Sequence, residues 1–162
     1  MNNRMPAMRK LSLFFLTVLL LAAAGTALAA TALHVHDGDT FRINAGKVRL
    51  FGVDAPEVGQ PGCAASRDAL RELVYGKDVT TLRKGDSFGR MVAIVKVGET
   101  DVGYELVRQG MAVVDDRYTK RKDYMTAQLK AKKARVGVWS SPNFIEPRVW
   151  RRVNSSRGKT CT

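Results

Sequence analysis

The chain has 162 residues, 27 Lys and Arg against 15 Asp and Glu, a formal net charge of +12, two cysteines and two histidines. That length holds one domain with a real core, and no repeat or low-complexity segment divides it. The charge suits a polyanion, nucleic acid first, although solubility or adhesion to anionic surfaces would produce the same excess.

Met1 to Lys10 is basic without an acid, Leu11 to Ala24 is apolar, and Ala27-Leu28-Ala29 before Ala30 fits a small-residue cleavage site. The pattern is that of a secretory signal peptide over residues 1–29. The apolar run is short for a membrane anchor, which needs about 20 residues, and no cysteine near the cleavage site supports lipidation. Taking the leader's three basic residues from +12 leaves +9 on a mature chain of 133 residues. Export to the periplasm or medium, with no stable membrane association after cleavage, is the expectation.

Thr31 to His36 reads as a strand ending at Asp37-Gly38, and Thr40 to Ile43 as a second. Asn44-Ala45-Gly46 turns the chain into a third, Lys47 to Val53, as in an antiparallel meander. Two prolines and two glycines make residues 54–62 a loop. Ala64 to Tyr75 places Ala69, Leu70, Leu73 and Val74 on one helical face, with Gly76 as the stop. Val79 to Arg83 and Met91 to Val97 are strands joined by a turn over 84–89. Asp101 caps a helix to Gln109 that Gly110 ends. Lys122 to Arg135 is a longer helix whose Ala127, Leu129 and Ala131 suggest close packing on one side. Trp139 is expected in the core. From Ser140 the tail is basic and Pro-punctuated. By pattern alone this is a small β-barrel with helices.

Three segments carry the chemistry: Asp37-Gly38-Asp39-Thr40, Arg49 to Glu57, and Asp86-Ser87-Phe88-Gly89-Arg90. Carboxylates near one another hold a hard cation through oxygen. Arginines aimed at the same point make sense if a phosphate lies between metal and guanidinium. His34 and His36 share a strand face, but a His-x-His zinc site lacks its further ligands here. No Ser/Cys–His–Asp triad is present. Cys63 and Cys161 fit one disulfide in an exported chain, with two free thiols as the alternative.

Gly38-Asp39-Thr40, Val48-Arg49-Leu50 running into Val53-Asp54-Ala55-Pro56-Glu57, Phe88-Gly89-Arg90, Val107 to Ala112 and Gly137-Val138-Trp139 resemble the staphylococcal nuclease (thermonuclease-like) family in order and spacing. The resemblance covers roughly Thr31 to Trp139. It implies an α+β fold, mainly β: an OB-type five-stranded barrel with three helices over residues 30–140; a Cys63–Cys161 bridge would pack the basic tail, 141–162, on it. It implies calcium on Asp39, Asp54 and the Ala55 backbone carbonyl, with Asp37 in a supporting place. Glu57 would be the general base or orient the water; Arg49 and Arg90 would hold the phosphate. Phe88 and Tyr118 would line the substrate groove. Where the best-known member carries Lys-Tyr before Gly-Arg, this chain has Ser87-Phe88, which keeps a stacking ring and loses a cation. Asp116 replaces one groove tyrosine. The function implied is a monomeric endonuclease of low sequence specificity on DNA, with RNA as a second candidate substrate, cutting the 5′ O–P bond and leaving 3′-phosphate ends. The rivals are a non-catalytic OB-fold single-strand binder and a calcium-stabilised envelope protein.

Overall fold

The computed structural model describes residues 28–154 and Cys161. The expected leader, residues 1–29, lies outside them except for its last two positions. Those two open strand β1 (Leu28–Thr31), whose Ala30 and Thr31 pair with Val79 and Asp78. Cleavage after Ala29 would therefore leave half of β1 in place. Among the described residues no helix is long and apolar enough to cross a membrane.

The expected single strand over 31–36 is two pieces, β1 and β2 (His34–Val35), on different neighbours. β3 (Thr40–Ile43), β4 (Gly46–Leu50) and β5 (Val53–Asp54) follow. Next come helix α1 (Cys63–Val74), β6 (Asp78–Ser87), β7 (Arg90–Val97) and β8 (Thr100–Asp101). Helix α2 (Val102–Arg108), β9 (Val113–Val114) and α3 (Lys122–Ala134) complete the main body. A 3-10 turn (Gly137–Ser140) leads to a fourth helix in the tail, α4 (Pro147–Val153).

One curled sheet of seven strands runs β1-β6-β7-β4-β3-β2, with β8 on β7; β5 and β9 pair apart from it. The meander holds only locally. β3 and β4 are antiparallel, but β4 pairs with β7 in parallel, because the crossover through α1 returns the chain in the same direction. This mixed, curled sheet with helices is the OB-type α+β fold that the resemblance implied. The turn expected over 84–89 is tighter than that. β6 extends through a bulge between Arg83 and Gly85 to a two-residue connection, Phe88-Gly89, where both φ angles are positive (50° and 71°). Paired positive φ values match the twist of the flanking strands.

Phe41, Val48 and Leu50 from the sheet meet Leu70 and Val74 of α1 and Leu106 of α2 in one core. The α1 register is as the apolar spacing requires. In α3, Ala127 and Ala131 are buried one turn apart while Leu129 is exposed. Position 129 lies two residues from each, on the opposite side of a 3.6-residue helix. Trp139 is half-buried rather than core. It packs edge-on to Phe144 at 5.1 Å and under the Lys132 ammonium at 4.3 Å, and Val138 takes the inward place. Asp101 caps α2 by accepting from the Tyr104 N–H at 3.0 Å; it also accepts from the Tyr124 hydroxyl and Arg121, each at 2.6 Å.

Cys63 and Cys161 are bridged, with Cα atoms 5.3 Å apart across a sequence separation of 98. Closing a loop of that order stabilises a fold by roughly 4–5 kcal/mol in the chain-entropy account. Both thiols are expected to resist alkylation until the folded protein is reduced, and Cys161→Ser to lower the denaturant midpoint; mass spectrometry and urea melts check this. Gly38 is packed where a Cβ would lie 2.6 Å from the Cβ atoms of both Ala55 and Ser66. Gly38→Ala is expected to cost about 1–3 kcal/mol by overpacking, read from the same melts.

Candidate active site

Asp39 ends the loop before β3, and its partner comes from the adjoining strand. The β3–β4 register sets Thr40 opposite Arg49, so the Arg49 side chain reaches back over the loop. Its Nη1 donates to Asp39 Oδ1 at 2.6 Å and its Nη2 to Asp54 Oδ1 at 2.9 Å. Asp54 arrives on β5, held by pairing with Val113 of β9. Both carboxylates are buried, at 3 % and 2 % exposure. A lone buried carboxylate would cost several kcal/mol; a guanidinium forked between two of them offsets much of that cost. Burial opposes the charge of Arg49, yet Asp39 and Asp54 hold it above its ordinary value.

The remaining Asp39 valences are filled by neighbours. Oδ1 also accepts from the Thr40 hydroxyl at 2.8 Å, and Oδ2 from the Ala55 N–H at 3.2 Å. Ala55 thus sits against Asp39, its carbonyl carried by the same buried turn. Asp37 accepts from the Asp39 N–H at 3.1 Å. Burial first, then the Asp39 charge, pushes Asp37 up to about 7. Its place is beside the pair.

Glu57 lies on the loop after Pro56. Its N–H donates to Gln60 Oε1 at 2.9 Å, and the Gln60 amide donates to the Ile145 carbonyl at 2.6 Å. Arg90 starts β7 directly after the hairpin tip. Its Nε donates to the Ser87 carbonyl at 3.3 Å and its Nη1 contacts the Thr40 hydroxyl at 3.5 Å. Arg90 makes no ion pair among the described residues, which leaves its charge for an incoming anion. A groove of ≈740 Å³ is lined by Arg49, Glu57, Phe88, Arg90, Tyr118 and Arg151, among others.

Phe88 is 97 % exposed at the hairpin tip, with the positive φ that a non-glycine residue seldom adopts. Tyr118 is also exposed, with the Arg117 guanidinium 5.3 Å from its ring centre. Asp116 is exposed in the same loop. His34 and His36 stack edge to face at 4.7 Å, and burial with the His34 charge lowers His36. They stand apart from the groove lining. Of the basic run after Tyr118, Arg121 is tied to Asp101 and Asp123, so it serves the fold.

Sequence reasoning passed over Arg151 as a site residue. It donates from Nη2 to Asp54 Oδ2 at 2.6 Å and from Nη1 to Asp54 Oδ1 at 3.0 Å, and it pairs with Glu57. The Asp54 hydrogen bonds first, against an opposing burial effect, raise its pKa. The signal available was Pro147 opening a helix after Glu146, with Arg151 one turn further on the same face as buried Pro147. Asp115 was also passed over. Burial would raise it, but Arg117, at 2.6 Å, lowers it on balance.

Among the described residues no three or more His, Cys, Asp or Glu side chains form a metal cage. Two carboxylates and a backbone carbonyl are nonetheless an oxygen-only donor set of the kind a hard cation takes, with water completing the shell. The residues fit such an ion.

Residues 47–141 match the Staphylococcal nuclease homologue family. An uncharacterized endonuclease of Haemophilus influenzae is 39 % identical over 124 residues, covering 73 % of this chain and 70 % of its own length. A micrococcal nuclease of Shigella flexneri is 31 % identical over 136 residues, 74 % of this chain and 78 % of its own. An uncharacterized endonuclease of Escherichia coli O157:H7 is 34 % identical over 123 residues, 72 % and 80 % respectively. With its matched span running from β4 through the turn after α3, and Arg49 joining the buried Asp39 and Asp54 to the groove that Glu57 and Arg90 line, the chain belongs to the staphylococcal nuclease family.

Proposed function

We propose that this protein is an exported, calcium-dependent endonuclease that hydrolyses phosphodiesters in DNA, and in RNA as a second substrate, with low sequence specificity. The observation that carries the reading is one groove lined by Arg49, Glu57 and Arg90, with the buried Asp39 and Asp54 carboxylates directly behind it on the Arg49 guanidinium. A protein that only binds single strands gains nothing from buried carboxylates beside a phosphate. The nuclease relatives support hydrolysis; the basic, apolar and small-residue leader supports export.

Asp39, Asp54 and the Ala55 carbonyl would hold calcium, which polarises phosphorus towards attack and offsets charge on the phosphate. Glu57, within the groove, accepts the proton of the attacking water. Water oxygen bonds to phosphorus as the bond from phosphorus to the 5′ oxygen breaks. Arg49 and Arg90 donate to the phosphate oxygens where charge builds. The 5′ oxygen leaves and takes its proton from solvent water, the phosphate stays on the 3′ side, and Glu57 returns its proton to solvent. Phe88 and Tyr118 offer exposed rings on which bases of any identity stack, in keeping with low specificity.

EDTA is expected to abolish digestion of plasmid and RNA, and calcium to restore it. Magnesium should serve poorly, since it demands tighter octahedral geometry; undiminished cleavage in chelator would refute the metal assignment. Arg90→Ala is expected to lower turnover on the order of 10²–10³-fold, and Glu57→Gln on the order of 10²–10⁴-fold. Both should spare single-strand affinity at fixed salt, because many cations share non-specific contacts. Wild-type turnover in both variants, or a wild type inert with calcium, would leave the single-strand binder as the reading.

A further inference from the structure

The geometry points to Arg151 as a third phosphate-binding guanidinium of the active site, supplied by the C-terminal helix and taking the phosphodiester that is cut. The inference rests on the nuclease reading of the groove. Arg151 lines the groove together with Arg49 and Arg90. Its guanidinium spans Asp54, on the metal-ligand side, and Glu57, on the base side. The scissile phosphate must sit between those same two groups.

Arg151 is half-buried and, among the described residues, accounts for both ion pairs made by the tail to the site. Once the Asp54 oxygens engage a divalent cation they accept from guanidinium less well. Like charge then turns Arg151 away from the metal, towards the nearest remaining anion. A phosphate oxygen in the groove meets that need bidentately. The Asp39, Asp54 and Glu57 carboxylates are already paired with Arg49 and Arg151, so a divalent cation adds positive charge that a phosphodiester relieves.

A displaceable plug is the competing reading of the same contacts. It would require the helix to leave, and α4 is fastened. The Gln60 amide holds the Ile145 carbonyl ahead of it, and the Cys63–Cys161 bridge fixes the chain beyond it. The Cys161 carbonyl also accepts from Arg67 at 2.7 Å. All three anchors belong to residues 60–67, the segment just after Glu57. Rotation of one long side chain from carboxylate to phosphate needs no helix movement. A cation that stays in the groove also answers a gap there, since Ser87 brings no charge beside the hairpin tip.

The test compares Arg151→Ala and Arg151→Lys with wild type in three measurements: turnover with calcium, calcium affinity by calorimetry, and single-strand affinity across a salt series. The affinities use a Glu57→Gln background to keep the oligonucleotide whole. Arg151→Ala is expected to cut kcat on the order of tenfold to a hundredfold, with Arg151→Lys between it and wild type. The dependence of log K on log salt should flatten by about 0.7, one phosphate contact on a single strand, while calcium binds as tightly or tighter. Turnover at or above wild type, or an unchanged salt slope, overturns the assignment; tighter calcium with faster turnover would identify a plug. If wild type itself fails to cleave with calcium, the nuclease reading falls, and the salt slope still decides whether Arg151 touches phosphate.

Discussion

Everything at this groove depends on the fork of Arg49 between Asp39 and Asp54. Both acids are almost wholly removed from water, and each would need to shed its charge or find a partner. One guanidinium on β4 serves both, at 2.6 and 2.9 Å. The loop before β3 and the short β5 strand are thereby fastened to the same point of the sheet. Under the proposed function the arrangement suits a cation, because two buried carboxylates meet at one point, and suits a phosphate, because a guanidinium can change partners without moving the backbone.

The barrel supplies positions, and the turns supply aim. Antiparallel pairing of β3 with β4 sets Arg49 across from Thr40; parallel pairing of β4 with β7 sets Arg90 across from Lys47, on the same side of the sheet as the groove. Neither arginine is near the other in sequence. The tight Phe88-Gly89 connection ends β6 where Arg90 must begin. It also forces Phe88 into a left-handed conformation with its ring in solvent.

Local apolar spacing foretold α1, α2 and the β3–β4 hairpin, because each depends on side chains a few residues apart. Leu70 and Val74 one turn apart, and Asp101 ahead of α2, needed no tertiary context. The parallel β4–β7 pairing was illegible for the opposite reason: it joins segments about forty residues apart through a helix, and no local period records it. Leu129 misled because apolar character was weighed without the 100° step that carries it to the outer face. Trp139 misled because size suggested burial, whereas Gly137 packs directly on the Gly110 backbone and Val138 fills the inward place. At the site, the motif residues could be named from the sequence, but their partners could not. Arg151 lies 97 positions from Asp54, in a stretch whose charge looked like that of any basic tail.

The tail and the site are mechanically one unit, and the segment from Asp54 to Arg67 makes them so. It holds a buried carboxylate, the Glu57 carboxylate, the Gln60 amide bonded both to the Glu57 N–H and to the Ile145 carbonyl, and the bridged Cys63. Gln60 is itself buried, at 4 % exposure, so losing either hydrogen bond would leave a polar group unsatisfied at a cost of about 1–3 kcal/mol. That penalty restrains the loop from both ends: motion of Glu57 pulls on Gln60, and motion of the tail does the same from the other side. A water-activating carboxylate works only if its place is fixed to a fraction of an ångström, and loops are the parts of a fold least able to do this alone. Here a covalent bridge and a buried amide on the same fourteen-residue stretch do it instead, which is how a short loop without secondary structure of its own would carry Glu57 as the proposed base.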